Sequence, residues 1–330
     1  MTTERSLPAL LVGCVLVALA ASPAQELRHA AVAADRVVIG TVVSVRPIGK
    51  DWIVHRLKVA RTLKGEAAEF LQIVEQKQLA MHHRPTPAQQ RVYCLHDVPP
   101  TADLAPLAGN GPLTKVTGHA DAAPLVKTIA DDEPALVLVR LVLESEAGKS
   151  AKTIAPQVVA LVALDDAAVR AEAVRMLTER SVLRDALTRM QWSDLVARAV
   201  GESQDVPLKI ALAELCAEHR IDRLVESLCV SFDTVHDPRW SNAVGRIAKF
   251  LHGENAIDVL RPFVERPRDP KSRAALLLAI GHSDTAAARE ALLRMRAIGE
   301  GKDAAVEAAL EAAGVKTPKD ADAKGKNDKK

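Results

Sequence analysis

Aromatic side chains are scarce in this 330-residue chain, since three Trp, one Tyr and four Phe make up only 2% of it. Hydrophobic residues nevertheless reach 48%, which is ordinary for a globular protein and excludes wholesale disorder. A core of alanine, leucine and valine suits closely packed helices better than an aromatic-rich barrel. The chain also lacks a large excess of either charge, because 44 basic and 42 acidic residues leave a net charge of +2. We therefore expect no nucleic-acid partner.

Cysteines number only four, namely Cys14, Cys94, Cys216 and Cys229. Without the N-terminal segment three remain, and an odd count excludes a fully paired disulfide scaffold. Cys216 and Cys229 lie within apolar stretches, which favours buried thiols. No Cys-x-x-Cys motif supports a zinc ribbon or a redox site.

One long hydrophobic run occurs, over residues 7–21, after Arg5 and before several small residues. This pattern predicts a signal peptide over residues 1–24 and a mature chain that starts between positions 21 and 26, at Gln25 by preference. The mature protein is then exported, to the periplasm or the medium, without a transmembrane helix. Residues 11–14 resemble a lipobox, but the apolar run before Cys14 is too short, so we expect no lipid there.

Residues 25–118 have a strand-like pattern. Apolar and polar residues alternate over 36–46 and 52–62, shorter apolar runs cover 70–75 and 91–96, and turn residues separate them. Four or five short strands need closure to protect their edges, which predicts a small closed or half-closed barrel. The Pro- and Gly-rich stretch 97–118 indicates loop.

Residues 34–42 (ADRVVIGTV) and 57–65 (LKVARTLKG) resemble exported OB-like β domains of the netrin/TIMP-like type. The resemblance implies an OB-like β-barrel. In the protease-inhibitor branch of that family, an N-terminal cysteine binds the metal ion of the target protease. No cysteine stands near the expected mature terminus, so that mechanism is not implied here.

Residues 121–313 show a helical period with internal repeats. An aspartate opens an apolar helix at intervals of 39, 32, 32 and 34 residues, and a degenerate start at Asp132 lies 34 earlier. The five regular positions are Asp166, Asp205, Asp237, Asp269 and Asp303. Each aspartate is placed to cap a helix, and a second helix follows, so the pairs should stack into an α-solenoid of five or six hairpins.

Residues 269–276 (DPKSRAAL), and next best 166–173, resemble HEAT repeats. In that family the opening aspartate and a later arginine link neighbouring repeats, and the resemblance implies this role for Asp166, Arg170, Asp269 and Arg273. Ser241 and Glu307 stand at the arginine position of two other repeats, which would interrupt such a ladder. The predicted fold class is multidomain β + α, a small OB-like barrel followed by the solenoid. The tail 314–330, with six lysines and three aspartates, is expected to be disordered.

A concave helical surface and no visible catalytic constellation favour a non-catalytic scaffold that binds a protein partner of the cell envelope without a cofactor. In HEAT arrays the second helix of each pair lines this surface, and Arg223, Arg261 and Arg294 recur on these helices as candidate partner-binding residues. The alternative is a metal-dependent enzyme, or an enzyme inhibitor, with its site on loops of the β domain. Its candidate metal ligands are His82, His83 and His96, although no spaced pair supports them.

Overall fold

The structure, a computed structural model, describes residues 27–77, 89–102, 104–117, 125–126, 129–201, 204–266, 269–299 and 302–315. After one short helix at Leu27–Ala33, a five-stranded sheet precedes all the other α-helices of the described residues, which confirms the expected order of a β segment and a helical segment. The predicted signal segment, most of the tail, His82 and His83 lie outside the described residues.

The sheet contains the four predicted strands. They are β1 (Arg36–Ile48), β2 (Trp52–Lys64), β3 (Phe70–Gln76) and β4 (Gln90–Asp97). A fifth strand, β5 (Leu113–Val116), lies within the stretch that was predicted to be loop, so that prediction is wrong for these residues. The strand order β1-β2-β3-β5-β4 closes on itself because β1 also pairs with β4, and only the β3–β5 pair is parallel.

Side-chain hydrogen bonds place β5 beside β3. The Gln72 side chain donates to the carbonyl oxygens of Leu107, at 2.7 Å, and Gly111, at 3.2 Å, and the Thr114 hydroxyl donates to the Gln72 carbonyl at 3.1 Å. Gln72 is 2% exposed, so these bonds satisfy amide groups that burial would otherwise leave unpaired. A 3₁₀ helix at Ala105–Asn110 precedes the strand.

Chain contacts divide the described residues into two compact units, 27–187 and 188–315. The first unit holds the sheet and five helices: α1 (Leu27–Ala33), α2 (Pro134–Glu146), α3 (Ala151–Val162), α4 (Ala167–Glu179) and α5 (Ser181–Asp185). The second holds α6 (Arg189–Gly201), α7 (Val206–Glu218), α8 (Leu224–Val230), α9 (Pro238–His252), α10 (Ala256–Glu265), α11 (Pro270–His282), α12 (Ala286–Ile298) and α13 (Ala304–Ala312). The first helical hairpins thus belong to the same unit as the sheet.

All five regular aspartates cap a helix, as predicted. Their side chains accept backbone N–H bonds of the first turn, for example from Ala168 at 3.0 Å to Asp166 and from Leu208 at 3.0 Å to Asp205. The same holds at the starts of α9, α11 and α13. The degenerate start at Asp132 is different, because α2 begins at Pro134 after Glu133 and has no side-chain cap.

In the second unit, each helix packs against the helix that has the same position in the next helix pair. The opening helices α7, α9, α11 and α13 pack on one another in order, and the second helices α8, α10 and α12 do the same. Gly245 and Gly281 allow this approach, because a Cβ at either position would overlap a backbone carbonyl of the next opening helix, at Ala279 and Ala309 respectively. Each pair therefore buries its apolar faces against the following pair.

A polar bond joins two successive opening helices at Arg273. Its Nη1 donates at 2.7 Å to Oδ2 of Asp303, the residue that caps the next opening helix, and the two side chains are 40% and 31% exposed. Lys209 holds the corresponding place in α7, four residues after its capping aspartate. Its buried ammonium donates at 2.9 Å to the Val200 carbonyl and lies 4.2 Å from the Trp240 ring centroid.

We expect Arg273→Ala to lower the free energy of unfolding by about 1 kcal/mol, which is less than the roughly 1.5–3 kcal/mol of a buried charge-assisted hydrogen bond because both partners are partly solvated. Ser241 provides the matched control. It stands four residues after Asp237, is fully buried, and its hydroxyl has no partner in the described structure. Ser241→Ala should be neutral or slightly stabilising in urea denaturation. Equal losses in both variants would show that the Arg273–Asp303 bond does not link the helices.

Candidate functional site

The three candidate partner-binding arginines are exposed, and two of them lie on second helices while the third directly precedes one. Arg223 precedes α8 in a left-handed conformation, with φ at 57°. Arg261 lies on α10 and Arg294 on α12. Their side chains are 85%, 51% and 74% exposed, respectively. The exposed sides of α8, α10 and α12 are called the second-helix surface below.

Each of these arginines faces a glutamate of its own helix segment. Arg223 lies 3.8 Å from Glu226 and Arg261 lies 3.4 Å from Glu265, measured between guanidinium nitrogen and carboxylate oxygen. Arg294 likewise pairs with Glu290 one turn earlier. Such exposed pairs contribute little stability. These three arginines therefore present neutral ion pairs to solvent rather than isolated positive charges.

Apolar side chains accompany the ion pairs on this surface. On α12, Leu293 is 37% exposed and Ile298 is 85% exposed, and both share the helix face of Glu290 and Arg294 by their spacing. On α8, Val230 is 51% exposed. The second-helix surface thus combines exposed aliphatic groups with neutralised charge.

The four residues predicted to link repeats differ in their contacts. Asp166 and Asp269 cap α4 and α11, and the Ser272 hydroxyl also donates to Asp269. Arg273 bonds Asp303, as described above. Arg170 lies half-buried in the first turn of α4.

A partly buried ion pair that the sequence patterns did not indicate joins two opening helices. Glu214 of α7, only 1% exposed, accepts a hydrogen bond from Arg246 of α9. Burial raises the pKa of Glu214 to about 7, and the guanidinium of Arg246 offsets only part of that effect. One helix further, the Asn242 side chain and Nδ1 of His282 lie 3.2 Å apart. Burial first, and then Arg246, lowers the pKa of His282.

The first unit holds a second carboxylate of this kind, Glu172 on α4. Burial raises its pKa to about 7, against the opposing effect of Arg175 three residues later. Both glutamates sit inside otherwise apolar helix faces, and that placement is the signal that could have revealed them.

Two histidines of the sheet have carboxylate partners. Nδ1 of His96 lies 3.3 Å from Oδ2 of Asp35, which also accepts the backbone N–H of Asp97 at 3.0 Å. The Asp97 N–H and then His96 lower the pKa of Asp35. His55, fully buried on β2, lies 3.1 Å from Glu75. The residues described here contain no group of three or more His, Cys, Asp or Glu placed to hold a metal ion.

The three cysteines of the described chain, Cys94, Cys216 and Cys229, are buried free thiols. Burial raises the pKa of Cys94 and of Cys216 to about 12, which disfavours the reactive thiolate. Their positions fit the predicted role of small apolar side chains.

In comparisons with known proteins, no family model matches the chain, and no curated protein or solved structure is significantly similar to it. None of the described helices has the length and apolar character needed to cross a membrane.

The raised pKa of Glu214 makes a testable contribution to stability. A carboxyl group whose pKa rises from 4.5 to about 7 on folding binds a proton more tightly in the native state. The native state is thereby favoured at low pH, and this advantage is lost as the pH rises from about 4.5 through 7. We expect Glu214→Gln to stabilise the protein at pH 8 by roughly 1–3 kcal/mol and to reduce the decline of stability between pH 5 and 7.

Denaturation at constant ionic strength over pH 5–8 measures this difference, and the contribution of Glu172 cancels because both proteins carry it. Glu311→Gln, at an exposed position of α13, is the control and should leave the pH profile unchanged. A Glu214→Gln profile parallel to that of the parent protein would contradict the assignment.

Proposed function

We propose that this protein is a non-catalytic, exported scaffold that binds a protein partner of the cell envelope through a HEAT-like array of helix pairs. The aspartate caps at 32- to 39-residue intervals support the repeat assignment. So does the packing, because opening helices stack on opening helices and second helices on second helices. Arrays of this kind present extended surfaces that suit protein recognition.

The observation that carries the proposal is the composition of the second-helix surface. Leu293 and Ile298 expose aliphatic groups on the same face as the Arg294–Glu290 pair. Protein interfaces are enriched in arginine, and their apolar centres are depleted in lysine, aspartate and glutamate. A partner that covers Ile298 would remove a largely exposed aliphatic side chain from water, which is favourable in proportion to the area buried.

We further propose that the β part has an OB-like architecture and supports the array rather than acting as the main binding module. The closed order of five strands supports the OB-like assignment. The exposed valines of β1, Val43 at 50% and Val45 at 43%, are the competing surface on this part and are included in the experiment below.

Photocross-linking tests the proposal. A benzoylphenylalanine placed at position 261, 294 or 298 should give one adduct of common mass in cells that produce the protein. The same group at position 249 or 311, exposed on opening helices, provides the matched controls and should give none. Melting temperatures within a few degrees of the parent protein verify that each variant is folded.

The double change Leu293→Asp with Ile298→Asp should abolish the adduct from position 261, because it places charge where the partner buries apolar groups. Adducts of the same yield from 249 and 311 would contradict a specific surface. The same probe is also placed at positions 43 and 45 of β1, and adducts from these two positions alone would assign binding to the sheet.

A further inference from the structure

A cavity of about 170 Å³ opens between the end of β2 and α2, within the first unit. Its floor is aliphatic and consists of Leu63 from β2 and Leu136, Val139 and Leu143 from α2. These positions recur every three or four residues on α2, so one face of the helix supplies most of the floor. Two arginines and two carboxylates form its rim, namely Arg61, Arg140, Asp131 and Glu144.

Three of the four charged side chains at the rim have counter-ions. Nη1 of Arg61 donates to Oδ1 of Asp131 at 2.6 Å and to the Ile129 carbonyl at 3.3 Å. Glu144 accepts from the Lys149 ammonium at 2.8 Å. Both of these pairs are electrically neutral.

Arg140 is the exception among the described rim residues, because its guanidinium contacts no carboxylate there. It donates at 3.3 Å to the Gln157 side-chain oxygen, and the Gln157 amide donates in turn to the Thr153 carbonyl at 2.9 Å. Gln157 thus positions Arg140 without neutralising it. An arginine carries five N–H donors, so most of those on Arg140 remain available to a bound anion.

The dimensions restrict what can enter. A volume of about 170 Å³ equals five or six waters at roughly 30 Å³ each, and lies below the 300–1,000 Å³ typical of pockets for drug-sized ligands. The enclosed part of the cleft fits one aliphatic side chain, and a larger ligand would extend out of the open side. A ligand that carries a carboxylate next to a short apolar group matches both the aliphatic floor and Arg140.

We propose that this cleft binds the C-terminal residue of a polypeptide, with an apolar last side chain on the leucine and valine floor and the terminal carboxylate at Arg140. The terminal residue of a protein joins these two groups at one carbon, and the chain before it can leave through the open side of the cleft. Arginine recognises a carboxylate by paired, charge-assisted hydrogen bonds, which supplies the specificity for a free terminus.

Methyl NMR titration with the pentapeptide Gly-Ser-Gly-Ala-Leu tests the site on the full chain. The peptide with a free carboxylate should shift the methyl signals of Leu63, Leu136, Val139 and Leu143 saturably. The same peptide with a C-terminal amide should bind about tenfold more weakly or worse, as should one that ends in serine, because each lacks one of the two groups.

Arg140→Gln should weaken the binding of the free-carboxylate peptide by a similar factor and leave the binding of the amide peptide unchanged. Arg140→Lys should retain part of the affinity for the free-carboxylate peptide. Lys152→Gln, at an exposed position of α3 outside the cleft, is the matched control and should bind normally. Equal affinity for acid and amide, full binding by Arg140→Gln, or no methyl shift at millimolar peptide would overturn the proposal. Saturable binding of decanoate in place of the peptide would overturn the choice of occupant.

Discussion

The close approach of successive opening helices is the constraint on which the second unit depends. Gly245 of α9 and Gly281 of α11 stand 36 residues apart, and neither has space for a Cβ beside the next opening helix. Alanine at positions 279 and 309 continues this contact on the facing helices. The alanine-rich, aromatic-poor composition follows from it, because small side chains let helix backbones meet while leucine and valine fill the space around them.

Polar groups fix the register of this stack. Each capping aspartate defines where an opening helix begins, and Arg273 extends one such cap into a bond between neighbouring helices. Lys209 anchors the end of α6 in a similar manner. Glu214 and Arg246 join α7 to α9, and removal of Glu214 from water raises the pKa of its carboxyl group. The net stabilisation by this pair is small, because the cost of removing Glu214 from water offsets its attraction to Arg246.

Features determined by local chemistry were predictable from the sequence, and features determined by distant contacts were not. Five helix starts followed from aspartates, because a cap acts within three residues of itself. The strand β5 is only four residues long and depends on Gln72, more than 35 positions earlier, so no local pattern indicated it. The cleft at Arg140 requires β2 and α2 to meet, as the Arg61–Asp131 bond across 70 positions illustrates. By contrast, the glutamates that balance Arg261 and Arg294 stand four residues away and could have been anticipated.

Hydrogen exchange of Gly281→Ala tests the central constraint most directly. Alanine is favoured over glycine in a helix interior by roughly 0.5–1 kcal/mol, so helix propensity alone predicts greater protection. Close packing predicts the opposite: amides of α11 and α13 should exchange markedly faster, because the added methyl group forces the Ala309 backbone away. Gly201→Ala is the control, since a Cβ there meets nothing within 4 Å and should leave protection unchanged or increased. Protection in Gly281→Ala equal to or above that of the parent protein would contradict the account.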